Sequence, residues 1–527
     1  MGFKNYFMKK TFIYCMIASL IFASCKKVIK EVNVVEKTEI ISTTVIDDFI
    51  KNQISTHRKF EWSTASDLMV WSALQQSDNM LSVGYKIDAA IAVEENLHNI
   101  NIDDAEWKLS KEKILNIILK SEQELDKSIK LETIVPWEEH VLPVIDVIVK
   151  NPATVKLLRS SNLVRYAEPL GYEPREAVLN AQKDNQQNNA VTSSSGCGSN
   201  TAEIGLLQNV DYTTITPLAK QSWNYYYHNI PRAWIKTTGA GIKVFMIDTG
   251  CEFDQENLGS AFNQGASSGR TIEKMVTLPQ STFLGIPTGP VETPDDGCGH
   301  GTAMAGACAA PRGTDGNACG VAYNCKLVTC RAAEDVYLDD SREAKGVADA
   351  FTNAANRTDV KIISMSMGRI TSSSQIQDAI IYAYGKGKLI FCAAGTSFSW
   401  TSSWFGVIFP ASLPQVNAVT GVRDNNFNTT CTDCHEGSET DFTIVMERST
   451  DKRKPLTLAM IGNIPSTIGG SSVSTATAAG IAALVWSKFP TYTKDQVLNK
   501  LISTSANYPV RSSSLGWGNL NADAATN

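Results

Sequence analysis

The chain has little of what marks nucleic-acid-binding or membrane-spanning proteins. Charged side chains make up only 19% of its 527 residues, the net charge is −6, and no block of basic residues is present. This balance argues against nucleic acid as the main partner. The apolar run near the N-terminus, residues 11–23, is too short for a stable membrane span. A hydrophobic content of 43% still allows a large buried core, and the length suggests two to four domains.

The N-terminal residues have the form of an export signal. The stretch MKKTFIYCMIASLIFASC begins with two lysines, continues as the apolar run and ends in small residues before Cys25. This order predicts a signal peptide over residues 1–24. A cysteine directly after Phe-Ala-Ser resembles the lipidated cysteine of bacterial lipoproteins, so we expect lipid on Cys25 and a membrane anchor. The alternative is an ordinary signal peptide followed by a chance cysteine.

The amino-acid composition and the pattern of apolar residues change three times along the remainder of the chain. Residues 25–60 are polar and β-branched and predict a tether, whereas residues 61–180 mix helical and strand-like segments. Residues 181–222 begin with AQKDNQQNNAVTSSSGCGSN, a composition that predicts a linker. From 223 to 527, continuous apolar runs such as IKVFMID, KLVTCRA, KIISMSM, KLIFCAAG and VNAVTGV alternate with helical segments. That alternation predicts an α/β domain with a parallel sheet covered by helices on both faces.

Histidine is scarce, and this draws attention to one position. Of six histidines, only His300 has glycines on both sides, at the start of an alanine-rich helix. Asp248 ends the apolar run VFMID, and Ser472 follows two glycines at the start of an apolar helix. Taken singly, these residues are typical of turns and helix caps. Together they supply a nucleophile, its base and a carboxylate that orients the base, in the chain order Asp, His, Ser.

Three stretches carry a family resemblance. IKVFMIDTG, GHGTAMAG and GGSSVSTATAAG resemble the aspartate, histidine and serine motifs of subtilisin-like (subtilase) serine peptidases, and flanking stretches match in the same order. The resemblance implies a subtilisin-like peptidase domain over 223–527, preceded by a small α+β propeptide-like domain over 61–180. Residues 181–222 would then be the maturation region. The implied protein is an exported proenzyme, a serine endopeptidase that acts on proteins or peptides and is blocked by its own propeptide domain.

The resemblance also implies roles for individual residues. Asp248, His300 and Ser472 would form the catalytic triad, with the backbone N–H of Ser472 and the Thr396 side chain as oxyanion donors. The residues that would line the substrate cleft are Ser366, Met367, Gly368, Ala393, Ala394 and Gly395. Thr396 stands where the family has asparagine, and losing one such donor costs about 10²–10³ in rate. We therefore expect a working peptidase that is slower or differently tuned. A catalytically impaired peptide-binding pseudoprotease and a peptide ligase or cyclase are the alternatives.

The cysteines fit an exported chain. Of twelve, Cys15 lies within the signal and Cys25 would carry lipid, so ten remain, an even number consistent with disulfides of undetermined pairing. Cys431, Cys434 and His435 match the haem-attachment pattern C-x-x-C-H. Their place in a short loop favours a local disulfide or two structural thiols instead. No second ligand pair is spaced for zinc. We expect no cofactor, and structural calcium, frequent in the family, stays open.

Overall fold

The N-terminal part of the described chain is a three-stranded antiparallel sheet with helices packed on it. The computed structural model describes residues 39–88, 92–175, 197, 200–283, 286–395, 406–432 and 434–527. The strands are β1 (Met80–Tyr85), β2 (Val144–Ile148) and β3 (Val164–Pro169), in the order β2-β1-β3. The helices are α1 (Thr43–His57), α2 (Asp67–Gln75), α3 (Val93–Asn96), α4 (Ala105–Glu122), α5 (Leu131–Ile134) and α6 (Pro152–Arg159), with 3₁₀ turns at Trp62–Thr64 and Leu97–Asn99.

Helix α1 lies where the sequence predicted only a tether. Its isoleucines, Ile46, Ile50 and Ile54, recur every four residues and therefore share one helix face. All three are buried in the same hydrophobic cluster as Phe60 and Trp62. The structure thus has a packed helix from Thr43 to His57, within the segment 25–60 for which the sequence predicted a tether. The spacing of the three isoleucines outweighs the polar character of the segment as a whole.

A seven-stranded parallel sheet organises the rest. After the hairpin β4 (Tyr212–Ile215) and β5 (Ala219–Ser222), the remaining strands are β6 (Lys243–Asp248), β7 (Ile272–Val276), β8 (Thr282–Phe283), β9 (Ile286–Pro287), β10 (Lys326–Arg331), β11 (Ile362–Met365), β12 (Leu389–Ala393), β13 (Asn417–Arg423), β14 (Thr440–Glu447), β15 (Leu456–Leu458) and β16 (Pro465–Thr467). The parallel sheet has the order β14-β13-β12-β11-β6-β10-β7. The five apolar runs quoted above coincide with β6, β10, β11, β12 and β13.

The helices of this part are α7 (Ile230–Ala233), α8 (His300–Ala309), α9 (Ser341–Asn356), α10 (Ser374–Gly385), α11 (Gly470–Lys488), α12 (Lys494–Ser503) and α13 (Ala522–Ala525), with 3₁₀ turns at Trp223–His228 and Glu256–Leu258.

The sheet is buried on both faces, as the sequence predicted. Along β6, Val244 and Met246 belong to one hydrophobic cluster, which includes residues of α8 and α11. The alternate residues Phe245 and Ile247 belong to a second cluster, which includes residues of α9 and α10. This α/β arrangement covers both faces of the central strands, whereas the edge strand β7 is only partly buried. The second cluster also contains the core of the N-terminal part, so apolar contacts are continuous within residues 40–527, which form one unit.

The predicted signal peptide over residues 1–24 and Cys25 lie outside the described residues, whereas part of the predicted linker is described. Within the described ranges, no helix is long and apolar enough to span a membrane. The hairpin of β4 and β5 occupies the end of the segment predicted as a linker, residues 181–222.

Candidate active site

Asp248 and His300 meet at the carboxyl edge of the parallel sheet. Asp248 is the last residue of β6, a strand in which all six residues are buried. His300 begins α8, directly after Gly299, whose φ of 86° lies in the left-handed region that glycine tolerates. His300 Nδ1 lies 2.6 Å from Asp248 Oδ1. With Asp248 as the acceptor, Nδ1 carries the proton and Nε2 of the neutral ring is left with a free lone pair.

The loop before α8 is held by a second carboxylate, Asp296, which the sequence reasoning missed. Its Oδ1 accepts the backbone N–H groups of Cys298 at 3.2 Å and Gly299 at 2.8 Å. Its Oδ2 accepts both the N–H and the hydroxyl of Thr302, at 2.8 and 2.7 Å. The side chain is fully buried. Asp296 therefore satisfies the free N–H groups at the helix start and sets the direction in which α8 presents His300.

Thr249 links the two carboxylates. Its backbone N–H donates to Asp248 Oδ1 at 2.9 Å, and its hydroxyl donates to Asp296 Oδ1 at 2.9 Å. The same hydroxyl accepts the N–H of Gly301 at 3.0 Å. The only sequence signal for this network was the run of acidic and glycine residues before His300, which is also ordinary turn composition.

Gly301 is required by close packing. A Cβ atom at this position would lie 2.2 Å from the carbonyl oxygen of Gly250, which follows β6 and Thr249. Backbone of the helix and backbone of the strand end therefore touch at the point where Asp248 and His300 meet. This contact explains the glycine on the C-terminal side of the histidine, because a glycine allows another backbone to approach closely.

His300 is electrostatically biased toward the charged form. Burial alone would lower its pKa, but the negative charge of Asp248 and the hydrogen bond to it outweigh burial, and the pKa of His300 is raised above its ordinary value of 6.5. Asp296 contributes in the same direction. Such a site holds an imidazolium more readily than water does, as a group that accepts a proton during a reaction must.

Ser472 lies in the first turn of α11. Gly470, with φ of 83°, begins the helix, and Ser472 is partly exposed. Its hydroxyl lies 3.4 Å from the carbonyl oxygen of Ser366, and the Ser366 hydroxyl donates to the Ser472 carbonyl at 3.0 Å. Among the residues that the structure describes, no hydrogen bond joins Ser472 to His300. Two of the three predicted triad members are thus in direct contact, and the third contacts the predicted substrate-lining strand.

The residues predicted to line the substrate cleft lie at or just beyond the carboxyl ends of β11 and β12. Met367 is buried in the hydrophobic core. The backbone N–H of Gly368 donates to Val336 O at 3.1 Å, and its carbonyl accepts from Leu338 N at 3.0 Å. Next to β12, Ala394 O accepts the N–H of Ile408 at 3.0 Å. Ala393 ends β12 and Gly395 follows it, whereas Thr396, the predicted oxyanion donor, lies outside the described residues.

The cysteines form two disulfides within the described part of the chain. One joins Cys197 to Cys298, two residues before His300. The other joins Cys431 to Cys434, the local pairing that the sequence favoured over haem attachment. The neighbouring His435 is buried, and its backbone N–H donates to Gly395 O at 3.0 Å. Six further cysteines within the described ranges are buried and form no disulfide, namely Cys251, Cys308, Cys319, Cys325, Cys330 and Cys392.

The N-terminal part reaches the segment that follows the predicted substrate strand. Glu168 of β3 accepts the backbone N–H and the hydroxyl of Ser374, at 2.5 and 3.0 Å, at the start of α10. Glu173 forms an ion pair with Arg369 at 2.9 Å, in which both side chains are fully buried. Sequence reasoning identified neither contact, because each joins residues about two hundred positions apart.

Comparison with known proteins gives consistent matches. The model of the subtilase family, Peptidase_S8, matches residues 239–518. Subtilisin E from Bacillus subtilis (strain 168) is 30% identical over 289 residues, 55% of this chain and 66% of that protein, so the match spans slightly less than two thirds of it. Subtilisin DY from Bacillus licheniformis is 29% identical over 290 residues, 54% of this chain and 91% of that protein. Among solved structures, MycP1 from Mycobacterium smegmatis matches with a TM-score of 0.46 and 20% identity, over 63% of this chain and 88% of that one.

Proposed function

Because the chain belongs to the subtilase family of serine peptidases, we propose that it is an endopeptidase whose catalytic triad is Asp248, His300 and Ser472. The observation that carries the proposal is the 2.6 Å hydrogen bond between buried Asp248 and His300. That bond leaves Nε2 of the histidine as the proton acceptor. The position of Ser472 at a helix start, where backbone N–H groups have no partner within the helix itself, suits a hydroxyl whose attack creates an oxyanion.

The proposed reaction proceeds through an acyl-enzyme. Ser472 Oγ attacks the scissile carbonyl while His300 Nε2 takes the hydroxyl proton, and His300 then returns it to the leaving amine. Water, activated by the same nitrogen, releases the acyl group and restores Ser472. Asp248 orients His300 and stabilises the imidazolium. The bond between His300 and Ser472 would form as substrate binds, since such bonds commonly tighten in the substrate complex.

Stabilisation of the oxyanion is assigned to the Ser472 N–H and the Thr396 side chain. A threonine hydroxyl is shorter than an asparagine amide, so the proposal includes a slower or differently tuned reaction than the asparagine form would give. Thr396→Asn would then raise kcat.

The N-terminal part is proposed to be an inhibitory propeptide. Support comes from the buried ion pair of Glu173 with Arg369, one residue after the strand assigned to substrate. Glu168 supports it further by satisfying N–H and hydroxyl groups at the start of α10. Cleavage between about residues 174 and 222 would separate this part from the peptidase domain. With export and lipid on Cys25, both proposed from the sequence, the anchor would remain on the propeptide side.

The test is covalent labelling of the full chain with a serine-directed phosphonate, followed by intact mass. We expect one adduct on the unaltered protein, none on Ser472→Ala, and a normal adduct on Ser474→Ala, a matched serine in the same helix whose hydroxyl bonds Gly470 O. Absence of the adduct from the unaltered protein would instead indicate a peptide-binding pseudoprotease. Masses of the peptide products separate hydrolysis from ligation or cyclisation, and the protein's own mass reports processing.

A further inference from the structure

Five donors converge on the carboxylate of Glu173. Its Oε1 accepts from Arg369 Nε at 2.9 Å, from the backbone N–H of Thr371 at 3.1 Å and from the Thr371 hydroxyl. Its Oε2 accepts from the Tyr337 hydroxyl at 2.5 Å and from the backbone N–H of Ile370 at 3.0 Å. All of the donors belong to the peptidase domain, and the acceptor belongs to the proposed propeptide.

Arg369 also binds the backbone that leads to Glu173. Its Nη1 donates to Leu170 O at 2.9 Å, and its Nη2 donates to Tyr172 O at 3.2 Å. The guanidinium therefore binds three acceptors of one short segment. They are the Glu173 carboxylate and the carbonyl oxygens of Tyr172 and Leu170, one and three residues before it. Any peptide with an acidic residue can present this set of acceptors, because two of the three come from the main chain.

Arg369, Tyr337 and the backbone N–H groups of Ile370 and Thr371 are here called the cradle. The cradle keeps its positive charge and its donors when the propeptide departs. Arginine stays protonated at any physiological pH, and departure of Glu173 leaves its guanidinium without the carboxylate that it bonds here. The backbone next to the two N–H groups is anchored within the peptidase domain, since the N–H of Arg369 donates to Phe409 O at 3.0 Å. A vacated site of this kind favours another carboxylate over a neutral group, since charge-assisted hydrogen bonds are the stronger ones.

The cradle is close to the proposed chemistry. Arg369 follows Ser366 by three residues, and the Ser366 hydroxyl donates to the Ser472 carbonyl. Three residues of extended chain span roughly 10 Å. A substrate residue in the cradle would therefore sit about three residues from the scissile bond.

We infer that Arg369, Tyr337 and the N–H groups of Ile370 and Thr371 form a carboxylate-binding subsite that selects peptide substrates with an acidic residue near the scissile bond. Glu173 occupies this subsite before maturation and is its first ligand. The inference rests on the proposed peptidase function and adds the substrate class to it.

The test uses the full chain after maturation, with cleavage between about residues 174 and 222 verified by intact mass, so that Glu173 can leave the subsite. It measures kcat/KM on a peptide series in which one glutamate, glutamine or lysine is moved through the positions around the scissile bond. At one position we expect glutamate to exceed glutamine by roughly tenfold, the range of a charge-assisted hydrogen bond, with most of the difference in KM. Lysine there should be the poorest of the three. The ratio of the glutamate to the glutamine value is the readout, so absolute activities need not match between variants.

Arg369→Gln should bring this ratio to about one. Arg165→Gln is the matched control, because Arg165 also contributes a buried guanidinium between the two parts, to Asp378, and should keep the ratio. If Arg369→Gln does not fold, Tyr337→Phe removes one donor without changing the ring and should lower the ratio several-fold. A ratio near one at every position in the unaltered protein, with the peptides still cleaved, overturns the inference alone. Failure to cleave any peptide, together with absence of a phosphonate adduct, overturns the proposed function instead.

Discussion

His228 should make the protein sensitive to mild acid. It ends a 3₁₀ turn and is completely buried. Its Nδ1 lies 2.8 Å from Leu520 O and donates to it, while Nε2 accepts the backbone N–H of Val445 at 2.9 Å. A second ring proton would have to sit on Nε2 and face that N–H. The ring therefore fits the fold only in its neutral form.

The size of the effect follows from the shifted pKa. Burial lowers the pKa of His228 from 6.5 to about 4, and the bond to Leu520 only partly opposes this. Because the folded value lies below the unfolded one, the contribution to stability is complete above pH 6.5 and is lost as the pH falls toward 4. The full loss is ~3 kcal/mol, of which ~2 kcal/mol is already lost at pH 5.

The assay is guanidinium unfolding followed by tryptophan fluorescence, at pH 7.5 and 5.0, in the Ser472→Ala chain so that autolysis is absent. The parent should lose ~2 kcal/mol more of its unfolding free energy on acidification than His228→Gln does. His140→Gln, whose ring is 73% exposed in the parent, should behave like the parent. Equal losses in all three proteins would refute the reasoning, since the acid sensitivity would then arise elsewhere.

Two further perturbations test the site and the proposed propeptide contact. Asp248→Asn offers His300 an amide in place of the acceptor that fixes its tautomer, so kcat on peptides should fall about 10⁴-fold with an unchanged circular dichroism spectrum. A fall of less than tenfold would contradict the proposed triad. Burial raises the pKa of Glu168 to about 7, which outweighs the opposing bonds from Ser374. Its contribution is therefore complete below about pH 4.5 and is lost as the pH rises through 7. Unfolding of Glu168→Gln in the Ser472→Ala chain should change less between pH 5 and 8 than that of its parent. Parallel pH profiles would exclude this role for Glu168.

The parallel sheet could be predicted well because its signal is local. A strand buried on both faces is apolar at most positions, and β6, β10, β11, β12 and β13 all appear as largely apolar runs. The edge strand β7 was missed because it contains charged residues, in the segment IEKMV, and is only partly buried. Helix α1 was missed because its three buried isoleucines stand among polar residues.

The reactive residues were found for a related reason. Asp248 ends an apolar run, and His300 stands between two glycines at the start of an alanine-rich helix, so the marking neighbours are adjacent in sequence. Their supporting residues have no such mark. Asp296 resembles any acidic residue in a turn until Thr302 and Thr249 are seen to bind it.

By itself, the sequence determined the class of fold, the succession of five buried strands along the chain and the three motifs of the serine peptidase family, since each depends on neighbours within about ten residues. Only the tertiary structure decided that Asp296 and Thr249 brace the histidine, that Gly301 must lack a side chain and that Glu173 is buried against Arg369. The contacts of Thr249 with Asp296, of Gly250 with Gly301 and of Glu173 with Arg369 join residues 47 to 196 positions apart. Their energies depend on burial and on the direction of each donor, which exist only once the chain has folded.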